Sequence, residues 1–225
     1  MEWKLTGSTC LVGDIHGEYD RGFVEDFGQV ADNYIFLGDI GFGFHKLQTF
    51  IKWLNEDIPE KVECYFIRGN HDDPSYWQGN KAKQVTKLCP RFHMVKDYDT
   101  MVIDGKRYLC IGGGISIDRF YRIEGQSYWS DEAILPCPKK NTIGKIDGIL
   151  SHTGFTPPIL THKHNLQLKF PDVNKDCEDE QVVLHQILEL YKPKVWYCGH
   201  YHVSCCFEVE DCKCQILNIQ EHVLL

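Results

Sequence analysis

The sequence predicts an α/β (α+β) protein built on two β-sheets, and two patterns in its apolar residues support this class. In the first part of the chain, short apolar runs alternate with longer segments whose apolar residues recur at helical spacing. Later in the chain, paired apolar runs flank turn sequences. The first pattern is typical of parallel strands connected by helices, whereas the second is typical of antiparallel hairpins.

The first sheet is predicted from three buried strands with a helix between successive strands. The strands are assigned to residues 9–12, 34–37 and 62–67, and the helices to residues 19–30 and 45–55. Each strand segment is a short apolar run, and each helix segment places its apolar residues on one side. Because strand–helix–strand crossovers are right-handed, this order implies a largely parallel sheet.

The second sheet is predicted from turn chemistry and from further apolar runs. Asp104-Gly105 lies between apolar residues 101–103 and 107–111, which is a strong hairpin signal. The other predicted elements are strands at 149–150 and 195–198, a helix at 179–190 and a final hairpin within 204–219. These segments provide the strands of a second, mixed sheet.

Two segments, residues 116–145 and 155–178, show no clear period and are predicted to form loops over a functional site. No internal repeat, low-complexity linker or change of composition marks a boundary between domains. We therefore expect one domain that spans residues 1–225.

Composition and charge narrow the range of functions. The chain has 43% hydrophobic and 25% charged residues, as expected for a globular protein, and a formal net charge of −8. This negative charge argues against a broad basic surface that would bind the phosphates of duplex nucleic acid. An anionic substrate remains possible, because bound divalent ions can reverse the local sign of charge.

The location of the protein is predicted from apolar runs and cysteines. No apolar run approaches the roughly 20 residues of a membrane helix, and the first residues lack a secretory signal pattern, so we expect a cytoplasmic protein with no membrane segment. The eleven cysteines are an odd number, and several lie in predicted strands. We expect buried, reduced thiols rather than disulfides or a zinc site.

Five short blocks rich in metal-ligand residues each follow a predicted strand. They are Gly13-Asp14-Ile15-His16-Gly17, Gly38-Asp39-Ile40-Gly41, Gly69-Asn70-His71-Asp72, Ser151-His152-Thr153-Gly154 and Gly199-His200-Tyr201-His202. Their regular context suggests that they lie at corresponding ends of strands in one sheet. His200 and His202 are further expected to alternate along an extended segment and to point to the same side.

This combination of carboxylate, amide and imidazole groups predicts a two-metal centre. A bridging carboxylate can hold two divalent ions about 3.5–4 Å apart, where they generate hydroxide and neutralise charge on a phosphoryl group. Asp39 is the best candidate for the bridge. Such ligands suit Mn²⁺, Fe or Zn²⁺, and we expect two divalent ions, with Mn²⁺ as the first choice.

Taken in order, the motifs Asp-x-His, Gly-Asp-x-Gly, Gly-Asn-His-Asp, Ser-His-x-Gly and Gly-His-x-His resemble those of the calcineurin-like metallophosphoesterase superfamily. The resemblance extends from residue 13 to residue 202 and thus covers most of the chain. It implies a four-layer αββα sandwich, in which helices flank two mixed β-sheets, and an enzyme that hydrolyses phosphate esters.

The resemblance also implies a role for each matching residue. One ion would be held by Asp14, His16 and His202, the other by Asn70, His152 and His200, and both by the bridging Asp39. His71 would face the substrate and stabilise charge or protonate the leaving oxygen. Arg68 matches an arginine that binds phosphate in Ser/Thr protein phosphatases, where a guanidinium grips two oxygens.

The expected activity is that of a phosphomonoesterase or small phosphodiesterase that acts on a phosphoprotein or a nucleotide. The chain departs from the protein phosphatases because it lacks their Val-Asp-Arg-Gly extension after Asp39 and has Asp72 where they have glutamate. One alternative is a nuclease, although only local lysines such as Lys139, Lys140 and Lys163 would contact a nucleic acid. The other is a metal-free interaction scaffold, because a related fold serves as a subunit of the retromer coat.

Two further segments could contribute to the site. The turn Gly112-Gly113-Gly114 could bind an anion and bring Arg119 or Arg122 into the cleft, but a tight bend beside a surface pair of Asp118 and Arg119 is the favoured interpretation. His162-Lys163-His164 has ligand-like spacing, but a solvated loop is the favoured interpretation.

Overall fold

The computed structural model describes residues 1–17, 29–43, 46–160 and 170–225. Most of the predicted helix at 19–30, together with His45 and His162-Lys163-His164, lies outside these described residues. Within them, the chain forms twelve β-strands and three α-helices. The strands form two sheets, of five and seven strands.

The five-stranded sheet contains the three parallel strands predicted near the start of the chain. Its order is β12 (His222–Leu224), β2 (Thr9–Val12), β3 (Asn33–Phe36), β4 (Glu63–Phe66) and β5 (Phe92–Met94). Neighbouring strands from β2 to β5 are parallel, and β12 is antiparallel to β2. Every residue of β2 and β3 is buried, as expected for strands covered on both faces.

The seven-stranded sheet mixes parallel pairs with the two predicted hairpins. Its order is β1 (Glu2–Lys4), β6 (Thr100–Ile103), β7 (Lys106–Ile111), β8 (Gly148–Ser151), β9 (Val195–Cys198), β11 (Cys212–Ile216) and β10 (Cys205–Val209). The pairs β6–β7 and β10–β11 are antiparallel, which confirms both hairpins. Strands β7, β8, β9 and β11 run parallel.

The three helices are α1 (Leu47–Asp57), α2 (Gly79–Leu88) and α3 (Pro171–Tyr191). Helix α1 confirms the prediction at 45–55 with a shift of two residues toward the C-terminus. Helix α3 is longer than the predicted 179–190, because it begins at a proline in its first turn, where the missing N–H costs little. The expected loop at 155–178 is therefore helical from residue 171.

Three apolar clusters define four layers. Helices α1 and α2 cover one face of the five-stranded sheet, and α3 covers one face of the seven-stranded sheet. Between the sheets, Leu11, Ile35 and Ile67 of one sheet pack with Met101 and Leu150 of the other. Each such buried side chain contributes about 1.5–3 kcal/mol of transfer free energy. The helix–sheet–sheet–helix order confirms the expected αββα sandwich with two mixed sheets.

The cysteines are free thiols, and seven of the eleven are buried as predicted, whereas Cys206 is exposed. Cys10, Cys64, Cys110 and Cys198 are buried in strands, and Cys205, Cys206, Cys212 and Cys214 belong to the β10–β11 hairpin. Burial raises the pKa of Cys10 to about 11, which keeps this thiol protonated near neutral pH. Across the described ranges, no helix has both the length and the apolar composition that crossing a bilayer requires.

Candidate metal centre

The five ligand blocks lie where five strands end, as the sequence predicted. Asp14, Asp39 and Asn70 follow β2, β3 and β4, and His152 and His200 follow β8 and β9. The expectation of a single sheet is wrong, because three blocks belong to the five-stranded sheet and two to the seven-stranded sheet. The candidate centre therefore lies where the two packed sheets end together.

Asp14, His16 and His202 form the first group of potential ligands. The Nε2 atom of His202 is 3.0 Å from Oδ2 of Asp14, and that of His16 is 3.9 Å from the same oxygen. The two Nε2 atoms are 2.9 Å apart. Asp14 is fully buried, and its two oxygens accept from the backbone N–H of His200 at 2.9 and 3.1 Å. A ligand-type oxygen is thereby fixed beside two imidazoles.

Asn70, His152 and His200 form the second group. Oδ1 of Asn70 is 2.7 Å from Nε2 of His152 and 3.0 Å from Nδ1 of His200. The two imidazole nitrogens are 3.2 Å apart. Three potential ligand atoms therefore meet within hydrogen-bond distance, although they come from three different strand ends.

Asp39 lies between the two groups. Its Oδ2 is 3.9 Å from Nδ1 of His16 in the first group, and its Oδ1 is 3.5 Å from Nε2 of His152 in the second. The carboxylate is almost completely buried, and Oδ1 also accepts from the backbone N–H of His71 at 2.8 Å. Each oxygen of Asp39 thus faces a different set of potential ligands.

The hydrogen bonds behind the second group fix which atoms face inward. Nδ1 of His152 is 2.8 Å from the carbonyl oxygen of Leu37, which can only accept, so that this nitrogen carries the proton and Nε2 presents a lone pair. The amide nitrogen of Asn70 donates to Oγ of Ser116 at 2.8 Å, which turns its oxygen toward His152. Two acceptors, Nε2 and Oδ1, therefore face each other, an arrangement that a cation between them would stabilise.

A second layer of contacts holds the Asn70 amide in place. Ser116 accepts from Asn70 and donates its hydroxyl hydrogen to Oε2 of Glu132 at 2.6 Å, while its backbone N–H donates to Oε1 at 2.9 Å. Partners of this kind orient metal ligands and tune them. The sequence did not predict these contacts, because no spacing in the chain relates position 116 or 132 to Asn70.

The backbone at the site is strained. His16, Asp39, His200 and His202 have φ values of 55°, 49°, 67° and 52°, in the left-handed region that non-glycine residues rarely adopt. His200 and His202 therefore do not lie on an extended segment, contrary to the sequence-based expectation, although both still face the centre. Strain of this kind persists only where the surroundings over-determine it, and it concentrates at functional sites.

Asp72 links two of the ligand loops. Its carboxylate accepts from the backbone N–H of Gly69 at 2.9 Å, of Gly41 at 2.9 Å and of Phe42 at 3.0 Å. These bonds connect the turn after β3, which holds Asp39, with the turn after β4, which holds Asn70. The role of Asp72 is thus to fix the loops, while its side chain is fully buried.

Burial and close charges shift the protonation equilibria in the centre. Burial, with the carboxylates of Asp14 and Asp72 nearby, raises the pKa of Asp39 well above its usual range. Burial also opposes ionisation of Asp14, but its hydrogen bond with His202 and the neighbouring His152 lower its pKa to about 2. Burial lowers the pKa of His16 to about 4, which favours the neutral form that binds metals.

His71 lies beside the centre and lines an adjoining cavity. Its Nε2 is 3.2 Å from the amide nitrogen of Asn70, and its ring centroid is 5.7 Å from that of His16. Burial, followed by the nearby charge of Arg122, lowers the pKa of His71 to about 3. The cavity has a volume of about 420 Å³, in the range of small-molecule sites.

Arg68 does not face this cavity. Its guanidinium donates to the carbonyl oxygens of Glu132 at 2.8 Å and of Ala133 at 3.1 Å, and it lies 3.5 Å from a carboxylate oxygen of Asp97. The side chain is buried, and these contacts supply a structural use for its donors. The phosphate-clamp hypothesis for Arg68 finds no support in them.

Arg122 is the arginine that lines the cavity, and Asp118 holds its guanidinium through two bonds of 2.6 Å. Arg119 instead pairs with Asp176 at 2.6 Å. The expected surface pair of Asp118 and Arg119 is therefore wrong. The cavity also contains Glu180, which the sequence patterns did not single out.

Solved structures similar to this chain include three with phosphoester chemistry in their names. An archaeal phosphodiesterase is 14% identical, with coverage of 97% of this chain and 98% of that one and a TM-score of 0.46. A putative 5'-nucleotidase from Staphylococcus aureus is 11% identical over 96% of this chain but 50% of that one, with a TM-score of 0.47. A phosphopantetheinyl hydrolase from Mycobacterium tuberculosis is 11% identical, with coverage of 96% of this chain and 92% of that one and a TM-score of 0.49.

These structural likenesses are too low to bear on substrate or mechanism. The sequence profile of one family matches most of the chain, from residue 8 to residue 204, and this range includes all seven potential ligands. The chain belongs to the calcineurin-like phosphoesterase family.

Proposed function

We propose that the protein is a hydrolase that cleaves phosphate esters at a centre for two divalent metal ions. The observation that carries this proposal is the position of Asp39, whose two carboxylate oxygens face two separate groups of potential ligands at 3.9 and 3.5 Å. A carboxylate so placed is suited to bridge two cations. Family membership independently supports metal-dependent hydrolysis of phosphoesters.

The proposed ligands divide as the two groups do. One ion would be held by Asp14, His16 and His202, the other by Asn70, His152 and His200, and both by Asp39. Oxygen and imidazole ligands favour Mn²⁺, Fe or Zn²⁺ over softer metals. When bound, such ions would lower the pKa of water and neutralise charge on the phosphoryl group.

The remaining side chains would orient the substrate and manage its protons. His71 lines the cavity beside Asn70, where its imidazole, kept neutral by a low pKa, is placed to donate a hydrogen bond to the leaving oxygen. Arg122, held rigidly by Asp118, provides positive charge on the same cavity wall. Arg68 would position residues 131–133 rather than bind phosphate.

The cavity favours a small substrate. A volume of about 420 Å³ accommodates the organic part of a phosphomonoester or small phosphodiester, such as a nucleotide or a phosphorylated side chain. The net charge of −8 disfavours the nuclease alternative, which would need a basic track. We further propose that residues 1–225 act as one domain, because both sheets contribute to one inner core and to one candidate centre.

Metal analysis combined with turnover tests this function. The purified protein would be stripped with a chelator, reloaded with Mn²⁺, Zn²⁺ or Mg²⁺, and assayed on an aryl phosphate and a bis-aryl phosphate. We expect two equivalents of bound metal and restored hydrolysis. Asp39→Asn should lose metal and turnover while remaining folded, as judged by circular dichroism. A folded protein that binds no transition metal and gains no activity would instead indicate a non-catalytic scaffold.

His71→Ala separates chemistry from metal binding. It removes no proposed ligand, so that metal content should be unchanged, whereas kcat should fall by about 10²–10³-fold, the usual contribution of one hydrogen-bond donor at developing negative charge. Equal loss of metal in both variants would contradict the division of roles between Asp39 and His71.

A further inference from the structure

One residue of the cavity contradicts the pattern of the helix that bears it. Along α3, the buried side chains recur at helical spacing and include Val173, Leu184, Ile187 and Leu188, all apolar. Glu180 occupies the same buried stripe and is only 6% exposed. An apolar residue would stabilise this position, because burying a carboxyl group is costly unless it is paired or hydrogen-bonded.

The Glu180 carboxyl group is only half satisfied. Oε2 accepts from the hydroxyl of Thr153 at 3.2 Å, but Oε1 is buried and has no hydrogen-bond partner among the described residues. Burial raises the pKa of Glu180 to about 8. Most buried polar atoms in proteins are paired, and a hydrogen-bond donor on a bound ligand would satisfy this one.

Glu180 and the candidate metal centre line one continuous cavity. Asp39, Asn70 and His200 form one part of its wall, and Cys177, Glu180 and Gln181 form another. The wall also includes Ile115, Leu160 and Tyr201, which add apolar surface to it. A phosphate ester whose phosphoryl group lies at the centre would therefore extend its organic part toward Glu180.

We propose that Glu180 is a specificity-determining residue that binds a hydrogen-bond donor, a hydroxyl or an ammonium group, on the alcohol part of a small phosphate ester. This inference rests on the proposed function and adds the class of substrate. Thr153 positions the carboxyl group, since its Oγ1 donates to Oε2. A donor bound at Oε1 would favour the ionised form, in which that oxygen accepts. An ester of a purely apolar alcohol would leave Oε1 unpaired and would bind less tightly.

The test compares substrates that differ only at one terminal group. Short ω-aminoalkyl and ω-hydroxyalkyl phosphates of graded length would each be paired with the alkyl phosphate of equal length. For at least one length, we expect wild-type kcat/KM to favour the polar ester by about tenfold, the effect of one hydrogen bond to a buried carboxyl group. The amino and hydroxyl series identify which donor is preferred.

Variants assign that preference to Glu180. Glu180→Leu fits the apolar stripe of α3 and should abolish the preference for polar esters. Glu180→Gln keeps a hydrogen-bond acceptor but no charge. It should therefore weaken the preference for the amino series more than the preference for the hydroxyl series. Glu189→Leu makes the same change at an exposed position of the same helix and should retain the wild-type ratio. A preference that survives Glu180→Leu, or a wild-type protein without any preference, would overturn the inference.

A binding measurement separates this inference from the proposed function. Calorimetry of the metal-loaded protein with ω-aminoalkyl and alkyl phosphonates, which are not hydrolysed, reports the same discrimination without turnover. Selective binding of the amino compound without hydrolysis of any ester would retain the role of Glu180 and reject the catalytic function. Hydrolysis of all esters with equal binding of both phosphonates would reject the role of Glu180 alone.

Discussion

Gly69 lies directly against Asp39, so closely that a Cβ at position 69 would overlap the backbone nitrogen and Oδ1 of Asp39. The turn after β4 therefore reaches the proposed bridging carboxylate only because residue 69 has no side chain. A similar relationship exists between Gly199 and Oδ1 of Asp14. The glycines of the ligand blocks thus allow strand ends from two sheets to approach each other.

Gly69→Ala should therefore damage the centre more than the fold. The added methyl group has to displace Asp39, which costs about 1–3 kcal/mol of stability as overpacking. We expect metal affinity to fall at least tenfold, measured by calorimetric titration of the chelator-treated protein. Gly105→Ala is the matched control, because a Cβ there meets nothing within 4 Å and its φ of +75° costs only local strain.

The control should lose stability by about 1–2 kcal/mol, the cost of a left-handed alanine, and keep its metal affinity. If Gly69→Ala bound metal as tightly as the control, the close packing of residue 69 on Asp39 would have no functional importance.

Ser116 provides a second prediction, because it orients a proposed ligand without binding metal itself. Ser116→Ala removes the hydroxyl that accepts from the Asn70 amide and donates to Glu132. The amide is then free to rotate, so we expect metal affinity to fall by about 10–100-fold, as for other outer-shell partners. Ser130→Ala at an exposed position serves as the control.

The measurement is metal affinity, followed by titration with added Mn²⁺. Excess metal should restore turnover in Ser116→Ala if the hydroxyl acts by positioning Asn70. Full wild-type affinity in this variant would contradict the positioning role.

The elements predicted from the sequence are those whose patterns are long or chemically distinctive. The parallel strands β2, β3 and β4 are continuous apolar runs, and the turn at Asp104-Gly105 fixes the first hairpin. Helix α2 was not predicted, because Val85 is its one buried hydrophobic residue and the helix therefore has no apolar stripe. Strands β1, β5 and β12 contain three residues each, too few to show alternation.

Residues of the candidate site that belong to a sequence motif could be predicted. Residues whose role depends on tertiary contacts could not. The ligand blocks could be recognised because a glycine or serine and a polar residue follow each apolar run. Arg68 occupies a recognisable motif position, yet carbonyl groups from residues 131–133 determine where its side chain points. Glu180 was not predicted, because the predicted helix began only one residue before it. The apolar stripe that Glu180 interrupts also includes Val173, which lay outside that predicted helix.

Arg68→Ala tests whether that arginine is structural. The substitution removes the donor to the Ala133 carbonyl, the shorter of two donors to the Glu132 carbonyl and the positive charge beside Asp97, so we expect the free energy of unfolding to fall by about 2–4 kcal/mol. Urea unfolding measures this loss. For the folded fraction, KM for an aryl phosphate should change by less than about threefold, which corresponds to under about 1 kcal/mol.

Arg91→Ala is a suitable comparison, because Arg91 also donates to backbone carbonyls, those of Ile58, Pro59 and Val62. Both variants should lose stability without a large change in KM. A steep rise in KM for Arg68→Ala at unchanged stability would restore the phosphate-clamp hypothesis.

The pH dependence of stability should reveal the buried carboxyl group of Glu180. Its pKa is raised to about 8 by burial, whereas an unfolded chain has the ordinary value near 4.5. Between these values the folded state binds more protons than the unfolded state, so the free energy of unfolding decreases as pH rises. The contribution is fully present below the ordinary pKa and is lost as pH passes through the folded value. Its size is on the order of 5 kcal/mol, because the pKa rises by about 3.5 units and one unit corresponds to about 1.36 kcal/mol.

Glu180→Gln isolates this effect, since glutamine keeps the shape of the side chain and cannot ionise. Urea unfolding would be measured for both proteins at several pH values between the two pKa values. As pH rises, the free energy of unfolding of Glu180→Gln should increase relative to that of the wild type. Glu132, whose pKa burial raises to about 7, titrates in both proteins, so the comparison removes most of its contribution. Parallel pH profiles for wild type and Glu180→Gln would mean that this carboxyl group reaches solvent in the native protein, and the cavity wall at α3 would then be open rather than closed around it.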